Sequence, residues 1–134
     1  MHEDWQRYSN PRFRLEFRYP DPTPRGHEVE RNEQRVHDER GELYFELSRF
    51  VGISPQDEYA SHRPFLEQRW GDGAVTELAE TALLERQAWR YGIRWPEADR
   101  VVLLLPLDGY AYRVIYDPRS ELNEDVLATL AIVE

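Results

Sequence analysis

Arg86–Asp117, RQAWRYGIRWPEADRVVLLLPLDGYAYRVIYD, decides how this chain folds. It divides into three strand-like runs, Ala88–Trp95, Arg100–Leu107 and Tyr110–Tyr116, with turn signals at Pro96–Asp99 and Asp108–Gly109. In the first run Trp89, Tyr91, Ile93 and Trp95 share one side, and Arg90 and Arg94 the other. That period of two marks a half-buried strand. Val101–Leu107 does not alternate, as expected of a strand covered on both faces. Asp108–Gly109 suits a two-residue hairpin, because a type I′ turn needs positive φ at both central positions. A three-stranded antiparallel meander follows, with Val101–Leu107 as its buried spine.

Working outward, the same alternation recurs. Phe13, Leu15, Phe17 and Tyr19 oppose Arg12, Arg14, Glu16 and Arg18, and Pro20, Pro22 and Pro24 end the run. Residues 5–8 form a short strand before it, stopped at Ser9–Pro11. Residues 26–39, with only Val29 and Val36 apolar, read as one exposed or edge strand that turns at Asp38–Gly41. Glu42–Val51 alternates again, Leu43, Phe45 and Leu47 against Glu42, Glu46 and Ser48. Ser54 caps a helix that Pro55 opens and Gly71 closes, with Tyr59, Leu66 and Trp70 on its buried side. Pro64 predicts a kink or break near residues 60–63. Ala74–Glu80 is a strand and Ala82–Glu85 a turn. Ser120 caps a last helix, Glu121–Ala131, with Leu122, Val126, Leu127 and Leu130 as its stripe.

Composition narrows the function. At 134 residues and 40% apolar content, one domain with a real core is expected. There is no cysteine, which removes disulfides, thiolate metal sites and a cysteine nucleophile. All 17 basic residues are arginine, so Schiff-base and P-loop lysine chemistry are excluded. A net charge of −9 without a basic block argues against nucleic acid. The longest apolar run, Val101–Leu107, is about a third of a membrane span, so no membrane partner is expected.

The phrases RFRLEFRYPDP, SPQDEYASHRPFLEQRW and YAYRVIYDPRSELNEDVLATL carry a resemblance. The chain resembles the Mog1/PsbP-like superfamily, including bacterial domains of unknown function related to the DcrB group. There an early aromatic strand ends in Tyr-Pro, matched by Tyr19–Pro20. A late strand precedes a C-terminal amphipathic helix, matched by Tyr112–Asp117 and Glu121–Leu130. The resemblance implies an α+β fold in strands-helix-strands-helix order, an antiparallel sheet flanked by helices in an α/β/α sandwich. It also implies a non-enzymatic protein: relatives serve as a photosystem accessory subunit, a small-GTPase-binding protein or effector adaptor chaperones. No export signal or lipobox of the kind many bacterial relatives carry is visible, so a cytoplasmic setting is expected.

Candidate chemistry is thin. His27, Glu28, Glu30 and His37 hold metal-ligand types, but on one strand the two imidazoles would lie about 30 Å apart. Solvated histidines are the simpler reading, and no metal or cofactor is expected. The acid pairs Asp57–Glu58, Glu97 with Asp99 and Glu124–Asp125 sit at helix starts and turns, where they cap and solvate. No G-x-S-x-G surrounds any serine, and Gly71–Gly73 is a turn. No catalytic residue is assigned. Arg90 and Arg94, with Arg113 on a neighbouring strand, have the forks to hold a carboxylate or phosphate. The competing reading pairs them with Glu16, Glu42 or Glu46.

Among the rings Trp89, Tyr91, Trp95, Tyr110, Tyr112 and Tyr116, most belong to the core, and any left uncovered would anchor a partner. The expected interaction surface is therefore Trp89, Arg90, Arg94, Trp95, Tyr110 and Arg113. A protein partner is expected, with a homodimer left open. The alternatives are an adaptor chaperone shielding a hydrophobic effector segment and a small-ligand-binding domain.

Overall fold

A computed structural model describes residues 5–8, 13–20, 28–30, 33–37, 43–51, 53–94 and 99–133. In chain order the elements are β1 (Gln6–Tyr8), β2 (Leu15–Tyr19), β3 (Glu28–Glu30), β4 (Glu33–His37), β5 (Tyr44–Val51) and α1 (Pro55–Trp70). Then come β6 (Ala79–Leu83), β7 (Arg86–Arg94), β8 (Asp99–Leu107), β9 (Tyr110–Tyr116), α2 (Glu121–Ala128) and β10 (Ala131–Ile132).

The alternating runs and their short turns force antiparallel pairing. One seven-stranded sheet has the order β3-β4-β5-β9-β8-β7-β6, and a three-stranded sheet has the order β1-β2-β10. The meander β7–β8–β9 is present, but the middle strand of the large sheet is β9, which β5 joins on its other side. Over Val101–Leu105 the spine β8 is covered on both faces, as an apolar run requires, whereas Pro106 near its end is exposed. Leu103 and Leu105 face one core cluster, and Val102 and Leu104 the other.

On one face Phe45, Leu47, Leu105, Tyr112 and Val114 meet Leu15 and Phe17 of the small sheet and Val126 and Leu130 from α2 and its end. On the other face Leu66 of α1 meets Tyr91, Ile93, Val102, Leu104 and Ile115, with Tyr59 and Trp70 at the margin. Helices thus flank the sheet, one on each side, and the small sheet shares a face with α2. Among the described residues no helix is long and apolar enough to cross a membrane.

Several boundaries differ from the sequence reading. Residues 26–39 do not make one strand: β3 and β4 pair antiparallel, Glu28 opposite Arg35 and Glu30 opposite Glu33. The Ala74–Glu80 strand is displaced. Val75 bridges Ile93, whereas Ala79 pairs with Arg90, so one extra residue lies between. This is a β-bulge, and it lets both Val75 and Leu78 pack on the α1-side cluster.

Helix α1 runs through residues 60–63 without a break. Pro64 and Ala60 are both exposed, so the bond the proline cannot make is lost on the wet side of the helix. Helix α2 ends at Ala128 rather than Ala131. Thr129 Oγ1 donates to the Val126 carbonyl at 2.7 Å, and Ala131–Ile132 instead pair with β2. Closing a sheet edge satisfies backbone groups that a last helical turn would leave open.

Candidate functional site

Strand register decides which expected surface residues share a face. Trp89 stands opposite Leu104, and Leu104 opposite Arg113, so these three point toward α1. Arg90 stands opposite Leu103, and Leu103 opposite Val114, on the other face. Arg90 and Arg94 therefore stay together while Arg113 leaves them. The three-arginine row expected from sequence is split by the sheet. Trp95 lies outside the described residues.

The individual environments differ as much. Arg90 and Arg94 are exposed, because the layer formed by the small sheet and α2 buries Ala88 but not these side chains. Neither makes an ion pair with a described residue. Their expected acid partners are engaged elsewhere or face away: Glu16 pairs with Arg7 at 4.0 Å, and Glu46, on the α1 side, accepts from Tyr44 Oη at 2.6 Å. Glu42 lies outside the described residues. Tyr110 is half-buried under the Arg49 guanidinium, 4.2 Å from its ring centre. Trp89 is also half-buried and packs on the α1-side cluster.

Arg113 is the centre of a polar cluster that sequence reasoning missed. Its Nη1 donates to Glu58 Oε1 at 2.7 Å, and Glu58 is only 4% exposed. His62, one helical turn on, places Nδ1 at 2.8 Å from Tyr91 Oη and 3.8 Å from Glu58 Oε1. Tyr91 Oη lies 3.5 Å from Glu58 Oε2. The guanidinium of Arg113 also lies over the Phe50 ring at 4.7 Å. Ser48 stands opposite Arg113 in the ladder, and its buried Oγ, like Arg113 Nε, has no partner among the described residues.

Burial, and then Arg113, lowers the His62 pKa to about 4, so the ring is neutral at neutral pH. Burial first, then Glu58, pushes the Tyr91 hydroxyl well above its ordinary value. One sequence signal pointed here. Pro55, Glu58, His62 and Leu66 follow helical spacing, so the polar pair lies on the inward face with Leu66. Reading Glu58 as a first-turn dipole acid obscured it.

A second charged group lies where β8 begins and β9 stops. Asp117 accepts from Arg119 Nη2 at 2.9 Å and lies 3.4 Å from Arg100 Nη1. The hydrogen bond from Arg119 chiefly lowers its pKa. Buried Asn123 donates to the Asp117 carbonyl at 3.0 Å and accepts from Tyr44 N at 2.8 Å, tying α2 to β5. Among the described residues no group of three or more His, Asp or Glu side chains is placed to hold a metal. Of the four metal-type residues weighed, His27 lies outside the described residues, and Glu28, Glu30 and His37 lie on the β3–β4 hairpin.

No family model and no curated protein matches the chain. Its structure is similar to the solution structure of cyanobacterial PsbP (CyanoP) from Synechocystis sp. PCC 6803. The TM-score is 0.61 at 11% identity, over 96% of this chain and 92% of that one. At that identity the likeness speaks for architecture alone. The two helices and two antiparallel sheets described above are those of a PsbP-like fold.

Proposed function

We propose that the chain is a non-enzymatic protein-interaction module that engages its partner on the uncovered β7 end of the sheet, around Arg90 and Arg94. The observation that supports this reading is the state of those two side chains. In a chain with 26 acidic residues, both stand exposed on one strand face without an ion pair to a described residue. A guanidinium fork with no described carboxylate at ion-pair distance can take one from outside, and Arg is enriched at interface anchors. Arg113 is not part of this surface, because its charge is spent on Glu58 inside the protein.

The adaptor-chaperone alternative has less support. The large exposed hydrophobics among the described residues are Val51 on β5 and Phe65 on α1, which sit on separate elements and outline no groove. A photo-cross-linking residue at position 90, expressed in the native host, tests the proposal. It should capture a discrete protein that the same residue at exposed Gln56 does not, and Arg94→Glu should abolish the capture. Equal capture at both positions would overturn it.

A further inference from the structure

Strand β6 is the last strand of the large sheet, and its register shows which of its backbone groups are free. Leu84 and Glu85 have φ of 55° and 62°, the left-handed pair of a type I′ turn, with Leu83 opposite Arg86. In such a hairpin the pair that flanks the two-residue loop exchanges hydrogen bonds. Alternation then turns the N–H and C=O of Leu83, Thr81 and Ala79 toward β7, and those of Glu80 and Ala82 outward. Two bonds beyond the bulge agree. Thr76 N donates to the Gly92 carbonyl at 2.9 Å and Arg94 N to the Ala74 carbonyl at 2.7 Å, so even-numbered β7 residues face this edge.

The outer edge is accessible. Ala79, Glu80 and Ala82 are exposed, and no described strand pairs beyond β6. The side chains at the two outward-facing positions are one glutamate, whose carboxylate accepts from Gln87 Nε2, and one methyl. Neither lysine nor proline guards the edge, two residues that commonly do so in other sheets.

We propose that β6 pairs antiparallel with β6 of a second copy of this chain, about a two-fold axis through Thr81. The register is set by the groups that are free. Glu80 of each copy exchanges two hydrogen bonds with Ala82 of the other, Thr81 faces Thr81, and Ala79 faces Leu83. A second copy fits because this register is self-complementary, as a two-fold interface demands. Every hydrogen-bonding group at the two outward positions finds its mate. The only charge in the strand, Glu80, meets a methyl group, and a threonine pair forms at the axis. The bulge at Glu77–Leu78 breaks the ladder on one side and the turn at Leu84–Glu85 ends it on the other, so the contact is short and the dimer weak. This inference concerns the edge of the sheet and stands apart from the Arg90–Arg94 reading.

Light scattering and sedimentation over a concentration series test it on the full chain. The mass should rise reversibly from 16.0 kDa toward twice that value. Ala82→Pro removes an outward N–H and leaves the β6–β7 ladder complete, so it should weaken the dimer about tenfold or more with an unchanged melting curve. Ala82→Glu places carboxylates opposite each other and should weaken the dimer in a way that added salt relieves. A monomer at every concentration, or a dimer indifferent to both substitutions, would overturn the proposal. So would slowed amide exchange on dimerisation at Thr81 but not at Glu80 and Ala82.

Discussion

The two faces of the large sheet are built from the same strands, alternate residue by alternate residue, yet they are held in different ways. Under the small sheet and α2 the contact is apolar and aromatic: Phe17 and Phe45 lie 4.7 Å apart, Phe13 meets Tyr112 edge-on at 5.8 Å, and Val126 is fully buried. Under α1 the apolar cluster is smaller, and a buried ion pair between Glu58 and Arg113 carries His62 and Tyr91 with it. An apolar face draws its stability from area and tolerates changes that keep volume. A buried ion pair adds little net stability, but losing one partner strands the other. The first face thus supplies adhesion and the second fixes where α1 sits.

The largest effects should come from breaking each face in its own currency. Arg113→Ala leaves the Glu58 carboxylate buried without its cation and should cost about 3–5 kcal/mol in urea unfolding. Adding Glu58→Leu and changing position 113 to Met should recover most of that loss. Phe45→Ala should cost about as much, 3–5 kcal/mol, with no charged second site able to restore it. If Arg113→Ala costs under about 1 kcal/mol, Glu58 is not held as described and the contrast between the faces disappears.

Asn123→Ala comes next. It strands the Tyr44 N–H and the Asp117 carbonyl, and should cost about 1–3 kcal/mol by the same measurement. A loss of only a few tenths would mean that α2 is held by its apolar stripe alone.

Acid should act on the α1 face before the rest. The His62 pKa is lowered to about 4 from an ordinary 6.5, by burial first and Arg113 second. As pH falls through that window the unfolded chain takes up a proton that the folded chain refuses, so this group lowers stability there and is neutral above it. Asp117, lowered chiefly by the Arg119 hydrogen bond, acts later: its contribution is present above about 3.8 and is lost as pH falls below that. His62→Gln should therefore flatten thermal stability between about pH 6.5 and 4 and leave the lower acid limb intact. An unchanged profile would refute the burial of His62.

The smallest effect separates the two helices. Ser54 Oγ accepts from Asp57 N at 3.1 Å, whereas Ser120 makes no side-chain cap bond. Ser54→Ala should cost about 1 kcal/mol and Ser120→Ala less than about 0.5 kcal/mol. Equal costs would show that sequence position, not geometry, sets the value of these caps.

How much of this was legible varies with how local the cause is. Tyr110–Tyr116 is a strand of the expected length because its ends are set by Asp108–Gly109 and Asp117–Pro118, which act within a few residues. The turn at Leu84–Glu85 was harder to place, since both residues adopt positive φ without a glycine to announce it. The bulge at Glu77–Leu78 had no local signal, because it arises from two residues seeking one core. The fate of the arginines was least legible. Arg90, Arg94 and Arg113 look alike in sequence, but a β-strand sends neighbours to opposite faces, and which face is covered depends on elements far along the chain.

By itself the sequence determined the strand periods, the hairpin at Asp108–Gly109, the α1 caps and the two-face burial of Val101–Leu105. All of these follow from torsional preference and apolar spacing within one element. Only the tertiary structure decided that Glu58 would meet Arg113 across 55 positions of chain, that Arg90 and Arg94 would be left outside, and that β6 would end the sheet. Those outcomes depend on which faces pack together, and packing partners are not neighbours in sequence.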